Sequence, residues 1–278
     1  MGLTLKEYLK GKIPDEYISL VKRSYDIIGD IAVLEIPKEL EKYEKIIAEG
    51  ILKIHKNVKV VCKKAGKVEG EFRVRKVEVI LGEKRTWTIH KENGLKFKLD
   101  ISKVFYTPRL ANDRLRVAKQ VKEGELVADL FAGVGPYAIL IAKLQPKCKV
   151  IAIDKNPFAY KFLVENIKLN KVNNIEAYCG DCREVVKELN LYGKVDRVIM
   201  HRPKIDDNFY DMAFLVPKKG GVVHYYTFLH EKEFPDKGIK DLKKAAKEFN
   251  KEIEIINAVR LNEIAPRLFR AVIEFKLL

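Results

Sequence analysis

The sequence predicts an α/β fold with a mainly parallel sheet, preceded by a small α+β domain. From Pro108 onwards, short apolar segments alternate with segments of helical periodicity, which is the pattern of successive βαβ units. Before Pro108, strand-like segments follow one another with hairpin signals between them. We therefore place the domain boundaries at residues 1–105 and 106–278.

The first domain is expected to begin with a short helical segment, Leu5–Leu20. A β-hairpin should follow over Tyr25–Ile36, with its turn at Gly29-Asp30. Leucines and isoleucines at helical spacing predict a helix over Lys38–His55. The other predicted strands are Val58–Cys62, Glu71–Ile80, Thr86–His90 and Leu95–Ser102, of which the last two are joined by a type I′ turn at Asn93-Gly94.

The second domain alternates between helices and strands. The predicted helices are Arg109–Val121, Tyr137–Leu144, Pro157–Asn170 and Lys237–Phe249. The predicted strands are Leu126–Phe131, Val150–Ile153, Ile175–Tyr178, Arg197–Met200 and Val222–Thr227. Two further segments, Glu252–Val259 and Phe269–Phe275, are expected to close the domain as an antiparallel pair.

The charge of the chain indicates a polyanionic partner. There are 54 Lys and Arg against 39 Asp and Glu, a net charge of +15. Residues 53–109 alone contain 16 Lys or Arg and 6 Asp or Glu, a net of +10. Abundant lysine and glutamate with little glutamine is also typical of thermophilic proteins, but that composition does not explain the imbalance. We expect the first domain to bind RNA.

Several classes of protein are excluded by composition. No apolar run reaches the length of about 18 residues that a membrane span needs, and the first residues are too charged for a signal peptide. Four cysteines do not make a disulfide framework. Cys179 and Cys182 form a CxxC pair without two obvious further ligands, so no metal is expected. We expect a cytoplasmic monomer.

The segment Val127–Tyr137 (VADLFAGVGPY) carries the strongest functional signal. It predicts a strand ending at Asp129, a loop containing Gly133 and Gly135, and then a helix. Glycines let a ligand approach the backbone, and the free N–H groups of a helix N-terminus can bind it. A second strand ends at Asp154, whose carboxylate can accept from both hydroxyls of a ribose. The pattern predicts a cofactor site, the alternative being a tight turn without a ligand.

Asp181 follows the third strand of this domain. Its carboxylate can accept a hydrogen bond from an adenine amino group, or it can cap the helix predicted over Glu184–Leu189. The dinucleotide-binding fingerprint would place a third glycine near Ala138, where this chain has none. The D-x-F-x-G-x-G form instead resembles the first motif of class I methyltransferases, which bind S-adenosylmethionine.

The chain resembles the archaeal and eukaryotic tRNA (guanine-37-N1)-methyltransferases and their wybutosine-pathway relatives over nearly its whole length. The segments that carry the resemblance are VEGEFRVR (68–75), RTWTIHKENG (85–94), VFYTPRLANDR (104–114), DLFAGVGPY (129–137), AIDKNPFAYKFLVENIKLNKV (152–172), DCRE (181–184) and GGVVHYYT (220–227). The resemblance implies methylation of N1 of guanosine 37, next to the anticodon of tRNA, with S-adenosylmethionine as donor. The family's extra N-terminal domain, which grips the outer corner of tRNA, is not expected here.

The resemblance also implies roles for individual residues. Arg73 would contact O6 of the target guanine, and Asp113 stands where the family usually has a glutamate that acts as general base. Pro203 matches the proline of an Asn-Leu-Pro pocket motif, in which His201 and Arg202 replace the first two residues. The residues implied to line the cofactor and base pocket are Phe105, Tyr106 and Arg109.

The chemistry of the implied reaction agrees with these roles. Guanine N1 carries a proton, which a positioned carboxylate can remove. Negative charge then develops on O6, where the forked donors of an arginine stabilise it. Judged by local sequence alone, Arg73 could equally be a solvated strand arginine and Asp113 an acid in the first turn of a helix.

Three functions remain open from the sequence. The first is methyl transfer to guanine, and the second is a wyosine-pathway reaction on a tricyclic guanosine derivative, by methyl or aminocarboxypropyl transfer. The aminocarboxypropyl enzymes typically have Gly-Tyr in place of His201-Arg202-Pro203 and HYH in place of His224-Tyr225-Tyr226. The third is a non-catalytic tRNA-binding protein. We expect His224 to be a satisfied strand histidine, and Trp87 to belong to the core rather than to a base-stacking platform.

Overall fold

The computed structural model describes residues 3–22, 24–69, 72, 74–202 and 207–278. The chain divides into two compact units, Met1–Pro108 and Arg109–Leu278, so the division falls slightly later than the one expected after residue 105. Within the described ranges, none of the helices combines the length and apolar character that crossing a bilayer requires.

The first unit combines short helices with two small sheets. Its helices are α1 (Leu5–Leu9), α2 (Asp15–Ile18) and α3 (Glu44–Ile54), the last preceded by a 3-10 turn over Lys38–Tyr43. Its strands are β1 (Asp26–Ile28), β2 (Ile31–Leu34), β3 (Val60–Glu69), β4 (Val74–Gly82), β5 (Trp87–Glu92) and β6 (Leu95–Asp100). β1 to β4 form one sheet in chain order, in which only β2 and β3 are parallel, and β5 pairs with β6 in a separate antiparallel hairpin.

Turn residues explain most of the local structure of this unit. The predicted hairpin at Gly29-Asp30 is confirmed, as is the turn at Asn93-Gly94, where φ is 49° and 77°. Positive φ at both central residues is what a type I′ turn requires. The single helical segment predicted over Leu5–Leu20 is instead two short helices, because Gly11 takes φ +71° and Pro14 cannot continue a helix.

The core of the first unit forms where α1 and α3 pack on the sheet. Leu9, Ala32, Ile47, Ile51 and Val61 belong to one cluster, and each is at most 2% exposed. Trp87 is not part of it. Its side chain is 50% exposed, so the expectation that it belongs to the core was wrong.

The second unit is a seven-stranded sheet flanked by helices. Its helices are α4 (Ala111–Ala118), α5 (Pro136–Leu144), α6 (Pro157–Leu169), α7 (Cys182–Glu188), α8 (Tyr210–Leu215) and α9 (Asp236–Glu248). Its strands are β7 (Leu126–Asp129), β8 (Lys149–Asp154), β9 (Ile175–Cys179), β10 (Val195–Met200), β11 (Pro217–His230), β12 (Ile253–Ala265) and β13 (Leu268–Leu277). The helix α8 was not anticipated.

The strand order of this sheet is β9-β8-β7-β10-β11-β13-β12. β7 to β11 are parallel to their neighbours within that group, and β13 runs antiparallel to both β11 and β12. The mainly parallel sheet and the closing antiparallel pair are therefore confirmed. The strand order reverses between β7 and β10, and the carboxyl ends of strands at such a switch point are where open α/β sheets bind ligands.

Burial on both faces explains why the central strands are continuously apolar. Residues Val127, Ala128, Val150, Ala152 and Val198 are all 0% exposed. Because helices cover parallel sheets on both sides, alternation between apolar and polar residues is absent there. This rigid centre fixes the positions of the loops that follow β7, β8 and β10.

Candidate active site

The loop after β7 is the best-defined part of the candidate site. It is tied to the end of β8 by the backbone N–H of Ala132, which donates to the carbonyl of Ile153 at 2.8 Å. The buried side chain of Asn166 on α6 donates to the carbonyl of Val134 at 3.0 Å. Gly135 precedes α5 with φ +92°, so the helix starts directly behind the loop.

The two glycines of this loop are needed for different reasons. A Cβ on Gly135 would lie 2.6 Å from Leu163 and 2.8 Å from Ile139, so this glycine permits close packing of the loop on the helices. A Cβ on Gly133, which has φ +57°, would meet no atom within 4 Å. Gly133 therefore faces open space, as expected of a glycine that leaves room for a ligand.

Asp154 connects the end of β8 to the glycine loop. Its Oδ2 accepts from the backbone N–H of Gly133 at 2.6 Å, and its Oδ1 accepts from that of Asn156 at 2.9 Å. Burial raises the pKa of this carboxyl above its ordinary value, although the two N–H groups act in the opposite direction. A carboxylate has about four acceptor positions, so Asp154 keeps capacity for two more donors, such as a pair of hydroxyls.

Asp129 is a completely buried acid at the end of β7. Its side chain is 0% exposed, and neither carboxylate oxygen makes a full hydrogen bond within the described residues, although backbone N–H groups of Phe131 and Ala138 lie close enough to favour its charge. Burial, reinforced by the nearby Asp154, raises the pKa of Asp129 to about 7. A buried carboxyl without a strong donor indicates that a polar or cationic group belongs beside it.

Asp181 caps a helix, which was one of its two predicted roles. It precedes α7, and its Oδ1 accepts from the backbone N–H of Arg183 at 3.0 Å. Its Oδ2 accepts from Lys155 Nζ at 3.3 Å. These two bonds leave one acceptor position on each oxygen, which is enough for a further donor such as an adenine amino group.

Asp113 lies on α4 with only 6% of its surface exposed. Its Oδ1 accepts from Nε and Nη2 of Arg116 at 3.0 and 2.8 Å. Its Oδ2 accepts from the hydroxyls of Tyr137 at 2.8 Å and Tyr226 at 2.5 Å. Burial raises the pKa of both tyrosines well above the ordinary value, so they remain donors. These four donors fill the acceptor positions of the carboxylate.

Arg116 extends this arrangement into a largely buried chain of charged and polar groups. Its Nη1 donates to Oε1 of Glu274 on β13 at 2.6 Å, and the same oxygen lies 2.7 Å from Nδ1 of His224 on β11. The other nitrogen of His224 lies 2.9 Å from Arg197, which pairs with Glu125. The prediction of a satisfied strand histidine is confirmed.

Charge pairing in this chain overrides burial at Glu274. Burial alone would raise the pKa of its carboxyl, but the bonds with His224 and Arg116 lower it to about 2. Burial lowers the pKa of His224, so its ring tends towards the neutral form. The carboxylate of Glu274 therefore holds Arg116 in place, and Arg116 holds Asp113.

His201 and Arg202 follow the end of β10. The ring of His201 lies 5.1 Å from that of Tyr226 between centroids, and burial, together with Arg270 and Arg114, lowers the pKa of His201 well below the ordinary value. Arg202 is 5% exposed, and its guanidinium donates to the Asp207 carbonyl and to Asn208 Oδ1 at 3.2 and 3.1 Å. His201 therefore presents a neutral imidazole beside Asp113's tyrosine partner.

The remaining residues implied by the resemblance fall in three groups. Tyr106 is buried in the first unit, where its hydroxyl donates to Glu92 at 2.8 Å, and Phe105 of that unit is 51% exposed. Arg109 is an exposed residue of the short 3-10 turn Pro108–Leu110. Arg73 and Pro203 lie outside the described residues.

The CxxC pair has no catalytic geometry. Cys179 is exposed and Cys182 is buried, and both are free thiols. Burial raises the pKa of Cys182 to about 12, which leaves it protonated and unreactive. Across the described part of the chain, no group of three or more His, Cys, Asp or Glu side chains is arranged to hold a metal ion.

The structure thus brings Asp129, Gly133, Gly135 and Asp154 together at the ends of β7 and β8, as predicted. Sequence reasoning missed Tyr137 and Tyr226, which bind Asp113. Both belong to segments already singled out, the glycine motif and GGVVHYYT, but no local pattern shows that their hydroxyls converge on one carboxylate.

The sheet order, the glycine loop after β7 and the acid at the end of β8 together define the class of protein: the second unit is a class I methyltransferase domain. Residues 88–256 match the family model of the TRM5/TYW2 methyltransferase domain, and residues 5–86 match that of the TYW2 N-terminal domain. The chain belongs to the TRM5/TYW2 methyltransferase family.

Two relatives illustrate the range of activities in this family. The tRNA (guanine(37)-N(1))-methyltransferase Trm5b of Pyrococcus abyssi is 44% identical over 264 residues, which is 95% of this chain and 78% of that protein. The tRNA(Phe) (4-demethylwyosine(37)-C(7)) aminocarboxypropyltransferase of Pyrococcus horikoshii is 36% identical over 273 residues, which is 98% of this chain and 95% of that protein.

Solved structures agree with this assignment. A complex of aTrm5 with tRNALeu superposes with a TM-score of 0.86 at 38% identity, covering 99% of this chain and 78% of that one. Pyrococcus horikoshii TYW2 in complex with MeSAdo superposes with a TM-score of 0.80 at 33% identity, covering 98% and 97%.

Proposed function

We propose that this protein is an S-adenosylmethionine-dependent tRNA methyltransferase that methylates N1 of guanosine 37, next to the anticodon. The observation that carries the proposal is the 44% identity, over 95% of the chain, to an enzyme named for that reaction. The structural resemblance to a family member in complex with tRNALeu supports tRNA as the partner. The net charge of +15 suits a polyanionic substrate of this kind.

The residues of the second unit fit S-adenosylmethionine. The open space at Gly133 provides room for it against the backbone, and Asp154 keeps two acceptor positions for the ribose hydroxyls. The buried Asp129 offers a carboxylate to the positively charged amino group. Asp181, at the end of β9, is proposed to accept from the adenine amino group, and Phe105 and Arg109 to contact the same cofactor.

Bound S-adenosylmethionine supplies an electrophilic methyl group on a positively charged sulfur. The protein must therefore make guanine N1 nucleophilic, and we assign the removal of its proton to Asp113. Because four donors fill its acceptor positions, Asp113 accepts that proton only when one tyrosine hydroxyl gives way. Arg116 stays bound to Oδ1 and keeps the carboxylate oriented. Arg73 and Pro203 are retained in the proposal on sequence resemblance alone, with Tyr106, His201 and Arg202 as residues of the base pocket.

The two glycines allow a test of the cofactor site. Gly133→Val is expected to lower the affinity for S-adenosylmethionine strongly, because the new side chain fills the open space of the loop. Gly135→Ala should act on stability instead, since its Cβ would overlap Leu163 and Ile139, and overpacking costs about 1–3 kcal/mol. Calorimetric titration with the cofactor and thermal unfolding without it measure the two effects.

Gly124→Val is the matched control for Gly133→Val. Gly124 also has a positive φ, +80°, and open space at its Cβ, but it precedes β7 and so lies at the opposite end of that strand. A valine at position 124 is also strained by the positive φ, but it does not enter the proposed cofactor loop. Equal cofactor affinity in the Gly133 and Gly124 variants would contradict the site assignment.

The reaction itself is tested by the mass of the product. Incubation with S-adenosylmethionine and an unmodified tRNA transcript is expected to increase the mass of nucleoside 37 by about 14 Da, the increment of one methyl group. A transcript with adenosine at position 37 is the matched control and should stay unmodified. An unchanged mass in both transcripts would contradict the proposal and favour a tRNA-binding protein without catalysis.

A second candidate is a wyosine-pathway reaction at the same position. The 36% identity to the aminocarboxypropyltransferase, over 98% of this chain, favours it as the alternative. His201 and Arg202, which replace the Asn-Leu of the methyltransferase motif, would alter the base pocket. Transfer of the aminocarboxypropyl group would add about 101 Da to nucleoside 37. Activity only on tRNA that carries the tricyclic precursor, and not on tRNA with guanosine 37, would favour this second function.

The proposal also covers metal dependence, oligomeric state and cellular location. Transfer from a sulfonium requires no Lewis acid, so we propose that no metal takes part. We propose a monomer that acts in the cytoplasm, where tRNA is modified, and size-exclusion chromatography with light scattering checks the monomer.

A further inference from the structure

The antiparallel hairpin β5–β6 presents an unusual outward face. Trp87, the only tryptophan in the sequence, is half exposed, and the nearby Ile89 is 44% exposed. With Asn57, Lys59, Arg85 and Lys91 these residues line a groove of about 780 Å³ within the first unit, which we call the Trp87 groove. Sites for small ligands span about 300–1,000 Å³, so the groove has room for a nucleotide.

The ring of Trp87 is supported by Arg85. The guanidinium of Arg85 lies 5.2 Å from the centre of its ring, and the same group donates to the carbonyl of Trp87 at 2.8 Å. Arg85 is fixed in turn by a bidentate pair with Asp30, at 3.0 and 2.6 Å, and by a bond from Nε to Glu83 at 2.7 Å. The arginine therefore supports the indole rather than reaching for a ligand.

The groove has an excess of positive charge. Its two acids, Asp30 and Glu83, are both engaged by Arg85. Lys59 and Lys91 are exposed, and neither makes an ion pair with a carboxylate in the part of the chain that the structure describes. The exposed amide of Asn57 adds both donors and an acceptor.

We propose that the Trp87 groove binds an unpaired RNA nucleotide, with the base stacked on Trp87 and the flanking phosphates at Lys59 and Lys91. Proteins that bind single-stranded nucleic acid combine an aromatic platform with a cationic groove in this way. The choice of RNA rests on the proposed function, because a tRNA substrate brings unpaired nucleotides to the protein. The groove is formed by residues of the first unit, and the cofactor loop by residues of the second.

The single tryptophan makes the groove directly observable. Titration of the full chain with a single-stranded RNA hexamer is expected to quench the emission of Trp87 in a saturable manner. The same sequence as a duplex should quench far less, because its bases are already stacked on one another. No quenching by the single strand would overturn the inference, whether or not the protein methylates tRNA.

Variants separate stacking from general charge attraction. Trp87→Ala is expected to weaken binding of a labelled hexamer, measured by anisotropy, by about 5- to 150-fold, whereas Trp87→Phe keeps most of the affinity. Lys59→Ala and Lys91→Ala should each reduce the slope of log affinity against log salt concentration by about 0.7, the value for one phosphate of a single strand. Tyr192→Ala removes an exposed aromatic of the second unit and serves as the matched control, with unchanged affinity.

Other occupants give different results. If heparin or an acidic peptide quenches Trp87 as strongly as the hexamer, the groove is only a basic surface and the inference fails. Methyl transfer to tRNA is measured in parallel to separate the two proposals. Methylation with unchanged tRNA affinity in Trp87→Ala rejects the groove alone, and quenching without methylation rejects the proposed function alone. Thermal unfolding of Trp87→Ala confirms that the variant is folded.

Discussion

Asp113→Asn is expected to lower single-turnover methyl transfer to tRNA by about 10²–10⁴-fold, the usual contribution of a general base. The amide keeps the size of the carboxyl group but cannot take the N1 proton. It also turns one acceptor into a donor facing Arg116 or the two tyrosine hydroxyls, which should reduce stability by about 1–3 kcal/mol. Rapid-quench kinetics and thermal unfolding measure the two effects separately.

Two controls decide between a base and an anchor. Asp113→Glu retains a carboxylate and should preserve part of the rate, whereas Tyr226→Phe removes one donor to Oδ2 and leaves the base in place. If Asp113 only anchors the helix, the asparagine variant will react normally once it is shown to be folded and saturated with cofactor. If the asparagine variant reacts at the wild-type rate while the chemical step limits the rate, Asp113 is not the base, and the neutral imidazole of His201 becomes the next candidate.

Asp154→Ala is expected to weaken binding of S-adenosylmethionine by about 10- to 150-fold, equivalent to about 1.5–3 kcal/mol for a lost charged acceptor. The substitution removes the proposed acceptor of the ribose hydroxyls. It also frees the backbone N–H groups of Gly133 and Asn156, so the glycine loop keeps the Ala132–Ile153 bond but loses its second link to the end of β8. Isothermal titration of the folded variant gives the dissociation constant.

Asp181→Ala provides the matched comparison for Asp154→Ala. It also removes an acid at the end of a parallel strand, but that acid caps α7, so a loss of about 1 kcal/mol in stability is expected. The effect on cofactor affinity should be smaller than that of Asp154→Ala. A folded Asp154→Ala protein that binds the cofactor as tightly as the wild type would disprove the assignment of the ribose site.

The cofactor loop could be predicted because its determinants are local. Asp129, Gly133 and Gly135 lie within one strand-loop-helix segment, and Asp154 ends the next strand along the chain. Parallel neighbours bring their carboxyl ends to the same edge, so the sequence spacing already implies proximity. The surroundings of Asp113 could not be predicted in this way. Its partners Tyr137, on α5, and Tyr226, on β11, are 24 and 113 residues away, and only the tertiary fold brings them together.

The wrong prediction for Trp87 has a specific physical cause. In β5 the polar residues Thr88 and Glu92 point inwards, where the Thr88 hydroxyl donates to Asp30 at 2.7 Å and Glu92 accepts from Tyr106. Trp87 and Ile89 consequently occupy the outward face. A prediction from hydrophobicity assigns large apolar residues to the core. It therefore exchanges the buried and exposed faces of a strand such as β5, whose buried polar groups are satisfied by partners distant in sequence.

The position of β13 has a consequence for synthesis of the protein. β13 separates β11 from β12 and pairs with both, so β11 has an open edge until residues 268–277 have left the ribosome. An open edge on a strand of 14 residues is a template for pairing with other chains. The strands β7 to β10, which include the two that hold the glycine loop, are complete much earlier, at Met200. A nascent chain is therefore most prone to aggregate between these two points. If translation stalls there, the strands of the cofactor site are already present, but the edge of β11 is still open to pairing with other chains.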